Sequence, residues 1–252
     1  MKELLRHGLR TAVTVLLRVR SRPYPVSPDG RCVVIAPHQD DEALGCAGLI
    51  LARRTAGLPV SIIYLTDGAA SHPGHPCLSP ADLAQLRRAE ARQAMQRLGV
   101  PDSCLDFIDA PDGTLAHLSQ DAFEYLARRL AARISLNQPT EMFLPCRDDG
   151  SSEHTAAYRI TRRALHLAGL VPRLLEYPVW AWWSPQRLAR VGMTSQRVWR
   201  LSFAHAASRK RDALACYVTQ GQPTPPWPQA VLPAGFVDCF ANGEEYFFES
   251  SP

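Results

Sequence analysis

The segment Pro37-His38-Gln39-Asp40-Asp41-Glu42 sets one imidazole and three carboxylates directly after an apolar run, Cys32-Val33-Val34-Ile35-Ala36. Left unpaired at a strand end, such groups cost desolvation and repel one another. A bound cation, a proton-transfer role or hydrogen bonding offsets that cost, and metal-assisted hydrolysis is the chemistry first suggested. His38 and Asp41 are three residues apart, so a helix starting near residue 40 turns both toward one point. A second imidazole, His154, opens another helix after another apolar run. Two imidazoles and one carboxylate form a catalytic zinc set that leaves a position for water. Iron, manganese and cobalt accept the same donors. Asp40 is then free to take a proton from the water. Glu42 is placed to hydrogen-bond behind the ligands or to cap backbone amides. The competing reading is an acidic cluster favoured by a helix dipole, with the histidines capping or packing. It explains one carboxylate, and neither His38 nor the distant His154.

The elements that position these groups alternate. Apolar runs at 31–36, 60–65, 104–108 and 141–144 predict strands, and helical patterns follow at 41–56, 80–98, 119–136 and 154–168. Short connections between them predict an α/β fold with a Rossmann-like, mostly parallel sheet and helices on both faces. Ligands in such a sheet bind outside the carboxyl ends of the strands, where residues 38–42, 67 and 147–154 all fall. Beyond residue 171 the texture changes to a C-terminal extension. It has strand-like runs at 174–177 and 198–201, a short helix around 205–218, a Pro-rich run at 221–233, and a tail expected to form a hairpin or edge pair turning at Asn242-Gly243. With no linker or repeat, residues 29–252 are expected to form a single domain behind a helical extension at 1–28.

Several ordered motifs resemble one family. Residues 37–42 are similar to the Ala-His-Pro-Asp-Asp-Glu signature of LmbE-like, or PIG-L-like, N-acetylglucosaminyl deacetylases. Thr66-Asp67-Gly68, the Arg87-x-x-Glu90 helix ending Leu98-Gly99, Pro145 through His154, and Lys210-x-x-Ala213-Leu214-x-x-Tyr217-x-x-Gln220 resemble later motifs in the same order. The resemblance spans roughly residues 31–220. It implies that His38, Asp41 and His154 bind Zn2+ and that Asp40 is the general base. It also implies that Arg87 contacts polar substrate groups, although spacing equally permits an ion pair with Glu90. Asp67, Arg147, Asp149 and Ser151 are further candidates for substrate contact, and Glu42 and Glu153 for support of the ligands. Gln39, Ser151 and Glu153 depart from the family's Pro, His and Asp. Serine donates a hydrogen bond but is a poor acid, so His72, His75 and His205 come into view as sources of the lost imidazole. Tyr217 stands where histidine is frequent. The activity implied is removal of an N-acetyl or related N-acyl group from an amino sugar or glycoconjugate. Loop 68–80 and Trp180–Trp183 are candidate walls for it, with core or oligomer contact as the other reading of the tryptophans.

Composition narrows the alternatives. The net charge is +4, lysine occurs only at Lys2 and Lys210, and no basic run tracks a phosphate backbone, so nucleic acid is not an expected partner. The seven widely spaced cysteines suit reduced thiols in the cytoplasm. In residues 1–22, Leu4, Leu5, Leu9, Val13, Leu16 and Leu17 recur at near-helical spacing among basic residues. The apolar stretch is too short to span a membrane. It predicts a helix packed on the domain, with weak peripheral membrane or partner contact as the functional alternative; a homo-oligomer is a further partner expectation. A phosphoesterase would want more ligands for two metals, and a dinucleotide site would want Gly-x-Gly-x-x-Gly after the first strand. A non-catalytic or altered-specificity binding protein on this scaffold is favoured only by Ser151, and Asp40 argues against it.

Overall fold

Every residue of Cys32–Ala36 is buried, as a strand covered on both faces must be. Cys32, Val34 and Ala36 belong to one hydrophobic core, while Val33 and Ile35 belong to a second on the opposite face. This period of two is what a two-sided sheet demands. The computed structural model describes residues 2–27 and 30–249; the boundary expected at 28/29 and the side chains of Leu4 and Leu5 lie outside what it describes.

The first half of the chain carries α1 (Lys2–Arg20), β1 (Ser21–Pro23), β2 (Cys32–Ala36), α2 (Asp41–Thr55), β3 (Val60–Thr66), α3 (Pro80–Arg97), β4 (Leu105–Ala110), α4 (Gln120–Asn137), β5 (Glu141–Pro145) and α5 (Ser152–Ala168). The second half carries β6 (Arg173–Tyr177), α6 (Trp180–Trp183), α7 (Pro185–Thr194), β7 (Arg197–Ser202), α8 (Ala207–Leu214), α9 (Val218–Gly221) and β8 (Glu244–Glu249). The strands form one mostly parallel sheet in the order β1-β7-β8-β6-β5-β2-β3-β4. From β2 the chain proceeds outward through β3 and β4, then returns to add β5 on the other side of β2. The β2/β5 junction is therefore the topological switch point, where a crevice opens above the strand ends. His38 and His154 follow those two strands.

Local chemistry accounts for the helices nearest the crevice. Ser79 and Asp82 form a capping box with Pro80 in the first turn of α3. The Ser151 hydroxyl accepts the His154 N–H and caps α5. Helix α2 lies close against the sheet because Gly45 and Gly48 have no Cβ, which would overlap the rings of Tyr177 and Phe203. Buried Glu245 accepts from Lys210 Nζ at 2.8 Å and from the backbone N–H groups of Gly48 and Leu49, so β8, α8 and α2 are joined at one carboxylate.

The C-terminal extension differs from expectation in two places. The tail is not a hairpin or an edge pair: β8 is a single strand inserted antiparallel between β6 and β7. Its Tyr246, Phe247 and Phe248 are all buried, and only an interior position covers both faces at once. The helix expected around 205–218 is broken into α8 and α9. The stretch between β6 and β7 forms two helices, α6 and α7. Val13 and Leu17 of α1 are buried in the first core, with Leu17 seated over Gly192 of α7.

Candidate metal centre

Asp41 opens α2 and His154 lies in the first turn of α5, so neighbouring strand ends deliver both to the same crevice. Asp41 Oδ2 lies 3.3 Å from His38 Nδ1 and 3.4 Å from His154 Nε2. The three donor atoms lie within 4.8 Å of one another. His154 Nε2 is buried and makes no hydrogen bond. A buried ring nitrogen without a hydrogen bond, facing a carboxylate and a second imidazole, suits a divalent cation once the ring is neutral, and this two-histidine, one-aspartate set fits zinc.

The other nitrogen of each ring is held by carboxylates. His154 Nδ1 lies 2.7 Å from Asp149 Oδ2. His38 Nε2 lies 3.1 Å from Asp112 Oδ1 and 3.7 Å from Glu153 Oε2. Such contacts fix the tautomers that present His38 Nδ1 and His154 Nε2 to a metal. Asp112 is absent from the sequence-derived candidates, because Pro111-Asp112-Gly113 reads as a turn. Its position just after β4, the same placement that marked residues 38–42, is the signal that could have found it.

Asp40 occupies a strained backbone, with φ +142°. Its N–H reaches Glu42 Oε2 at 3.2 Å, and Arg87 Nη2 lies 3.7 Å from its Oδ1. Burial first, and then the charge of Asp41, raises the Asp40 pKa to about 7, while Arg87 opposes the rise. Glu42 is fully buried beneath Asp40 and accepts the Tyr217 hydroxyl, so Tyr217 supports the acidic cluster from below. Arg87 does not pair with Glu90. It donates to the carbonyls of Gln39 and Gly68, whereas Glu90 accepts from the N–H and hydroxyl of Thr219.

A cavity of about 560 Å3 opens over these groups. His38, Asp40, Asp41, Arg87, Asp112 and Ser151 line its polar side. Val179, Trp180, Val231, Leu232 and Phe236 line the other. The remaining candidates lie elsewhere. Asp67 accepts the N–H groups of Ala69 and Asp112 and so holds the turn that carries Asp112. Arg147 pairs with Glu176 and stacks over Tyr158. Asp149 is fully buried behind His154. Glu153 accepts the N–H groups of Gly113 and Ala116. None of these four lines the cavity.

The three spare imidazoles are also placed away from it. His205 is exposed. His72 stacks on Trp227 with ring centres 5.3 Å apart, His75 meets the same indole at 5.4 Å, and both ring Nε2 atoms contact Thr224. They tie loop 68–80 to the Pro-rich run, and they do not replace the missing histidine at 151. Trp180 does form a wall of the cavity, while Trp182 is packed against Phe240 and Tyr246.

A crevice at the switch point of a parallel sheet, with two imidazoles and a carboxylate free for a cation, defines a metal-dependent hydrolase class. The family profile described as PIG-L, GlcNAc-PI de-N-acetylase, matches residues 33–165, and the chain belongs to that family of zinc-dependent N-deacetylases. Among solved structures, a conserved protein from Thermus thermophilus is 25% identical, covering 88% of this chain and 94% of that one, with a TM-score of 0.62. A deacetylase triple mutant from the teicoplanin biosynthetic pathway is 20% identical over 87% and 97%, with a TM-score of 0.65. The 4-carboxy-2-hydroxymuconate hydratase of Pseudomonas putida is 16% identical over 83% and 82%, with a TM-score of 0.63. The last two show the fold alone. No curated protein matches the chain.

Proposed function

We propose that the centre hydrolyses the N-acetyl, or a related N-acyl, amide of an amino sugar in a glycoconjugate, with His38, Asp41 and His154 as the zinc ligands. The observation that carries this reading is the Asp40 carboxylate, held next to the three-donor set on a backbone with φ +142° and with Arg87 Nη2 3.7 Å from its Oδ1. Zinc in this site supplies Lewis acidity toward water and the acyl oxygen. Asp40 takes the proton of the attacking water and returns it to the departing amine nitrogen. Arg87 and Glu42 hold the Asp40 segment in place for both transfers. Arg87, Asp112 and Ser151 offer polar contacts to sugar hydroxyls, and Trp180 offers a face for the ring. Ser151 donates one hydrogen bond where the family uses an imidazole, which leaves Asp40 as the acid as well as the base.

We also place residues 29–252 in one catalytic domain on which α1 is docked, and the protein in the cytoplasm. All seven cysteines are free thiols, which supports that placement. No helix among the described residues is long and apolar enough to cross a membrane. The outward residues Leu9, Val15, Leu16 and Val19 of α1 are the surface on which peripheral membrane or partner contact would rest.

Acetate release from a panel of N-acetylglucosaminides tests the assignment. Asp40→Asn should abolish release while zinc stays bound. Undiminished activity in that variant would remove Asp40 from the base role.

A further inference from the structure

Beyond the aromatic wall of the catalytic cavity lies a second cavity, of about 690 Å3, between α1 and residues 234–242. One face of α1 lines it. Arg6, Arg10, Thr14 and Arg18 recur at every fourth residue, with His7 and Thr11 in the adjacent row. Four residues advance an α-helix by about 6 Å, so the three guanidiniums are laid out over about 18 Å. Asp238 is the one acidic residue lining the cavity among the described residues. Arg18 is bonded to Glu244 at 2.8 Å. Arg6 and Arg10 have no carboxylate partner among the described residues. Arg6 lies over the Trp183 ring, 4.7 Å from its centre, and Arg10 donates to the Cys239 sulfur.

The arrangement is built rather than incidental. Helix α1 is anchored by buried Val13 and Leu17, and Gly192 makes room for Leu17. The indole of Trp183 holds the Arg6 guanidinium in place, which lowers the entropy lost on binding. Guanidinium forks match oxyanions in bidentate fashion, whereas the Thr11 and Thr14 hydroxyls are spent on the His7 and Arg10 carbonyls of the helix itself. Helix α1 also lies wholly outside the residues matched by the family profile.

We infer that this cavity is an oxyanion subsite, which takes a phosphate, sulfate or carboxylate group outside the metal centre. Its wall backs onto that of the catalytic cavity: Phe236 and Trp180 line the catalytic side, Trp183 lines this one, and Phe236 packs between the two indoles with ring centres 4.8 and 5.7 Å away. An extended glycan that passes round this wall, with its amide at the metal centre, would lay its acidic part here. This link to substrate rests on the deacetylase reading, whereas anion binding itself does not.

Calorimetric titration of the full-length, zinc-loaded protein with inorganic phosphate at low ionic strength tests the subsite. We expect binding that weakens at least about tenfold in Arg6→Gln/Arg10→Gln, two partly exposed positions, and that is unchanged in Arg147→Gln. Absence of binding would overturn the inference. So would heat that persists in the double variant and disappears on chelating the metal, because the anion then belongs to the metal centre. A second arm compares acetate release from an acidic tetrasaccharide of alternating uronate and N-acetylglucosamine with release from a neutral N-acetylglucosamine tetramer. A preference for the acidic chain that the double variant loses places the anion on the substrate. Equal rates with phosphate binding intact identify a free anion as the ligand. If neither glycan releases acetate while phosphate still binds, the deacetylase reading fails and the subsite stands.

Discussion

Asp149 and His154 meet at 2.7 Å, Oδ2 to Nδ1, with both side chains fully buried. The same carboxylate accepts the backbone N–H groups of Val179, Trp180 and Ala181, each at 2.9 Å. One side chain therefore orients a metal ligand and holds the start of α6, which carries a wall of the cavity. Asp149→Ala should lower zinc affinity by about 10- to 100-fold, the usual cost of losing such a partner. It should also destabilise the fold by more than about 2 kcal/mol, because three backbone donors, two of them buried, lose their acceptor. Zinc competition with a chelator and denaturant unfolding would check the two effects.

The positive φ of Asp40 is a strain stored beside the chemistry. Glycine adopts that conformation without a Cβ penalty. Asp40→Gly should therefore raise the stability of the metal-free protein by about 1 kcal/mol while abolishing acetate release. Equilibrium unfolding of both proteins checks this, and a less stable glycine variant would mean the backbone there is not strained.

Protons and metal should compete for His154. In the metal-free chain burial lowers its pKa, but the charge of Asp41 and the hydrogen bond to Asp149 outweigh burial and raise it to about 9. The folded value exceeds the unfolded value of about 6.5, so this group's stabilisation is fully present below about pH 6.5 and is lost as the pH rises through about 9. A cation needs the neutral ring, so zinc affinity should run the opposite way. It should climb between about pH 6.5 and 9, by up to about tenfold per pH unit from this group. Competition titrations across that range, together with measured proton release, would show it; a flat profile would contradict the assignment.

Trp227 joins His72 and His75, and through them two loops whose neighbouring residues, Ala70, Ser71, Val231 and Leu232, line the catalytic cavity. Trp227→Ala should release that strut without touching the ligand set. The expected result is a several-fold rise in KM with unchanged zinc content, read from steady-state acetate release and metal analysis.

The ligand set is legible in the sequence because its signals are local. A buried apolar run followed at once by His38, Asp40 and Asp41 has few packing explanations, and His154 repeats the placement after β5. The roles of other residues are not legible, because they depend on contacts distant in sequence. Asp112 reads as a turn residue until β4 brings it beneath His38. Arg147 looks like a cavity residue until Glu176 and Tyr158 draw it away. His72 and His75 look like spare imidazoles until Trp227 occupies them.

From sequence alone, then, come the parallel α/β architecture, the strand ends that carry the chemistry, and a two-histidine, one-aspartate ligand set, because hydrophobic period and residue type are properties of short segments. Tertiary structure alone decided that β8 enters the sheet between β6 and β7, that Asp149 and Asp112 hold the two ligand rings, and that α1 lays its arginines along a cavity of their own. Those outcomes depend on which segments share a buried surface, and residues as far apart as Arg10 and Cys239 acquire their roles only when the chain has closed on itself.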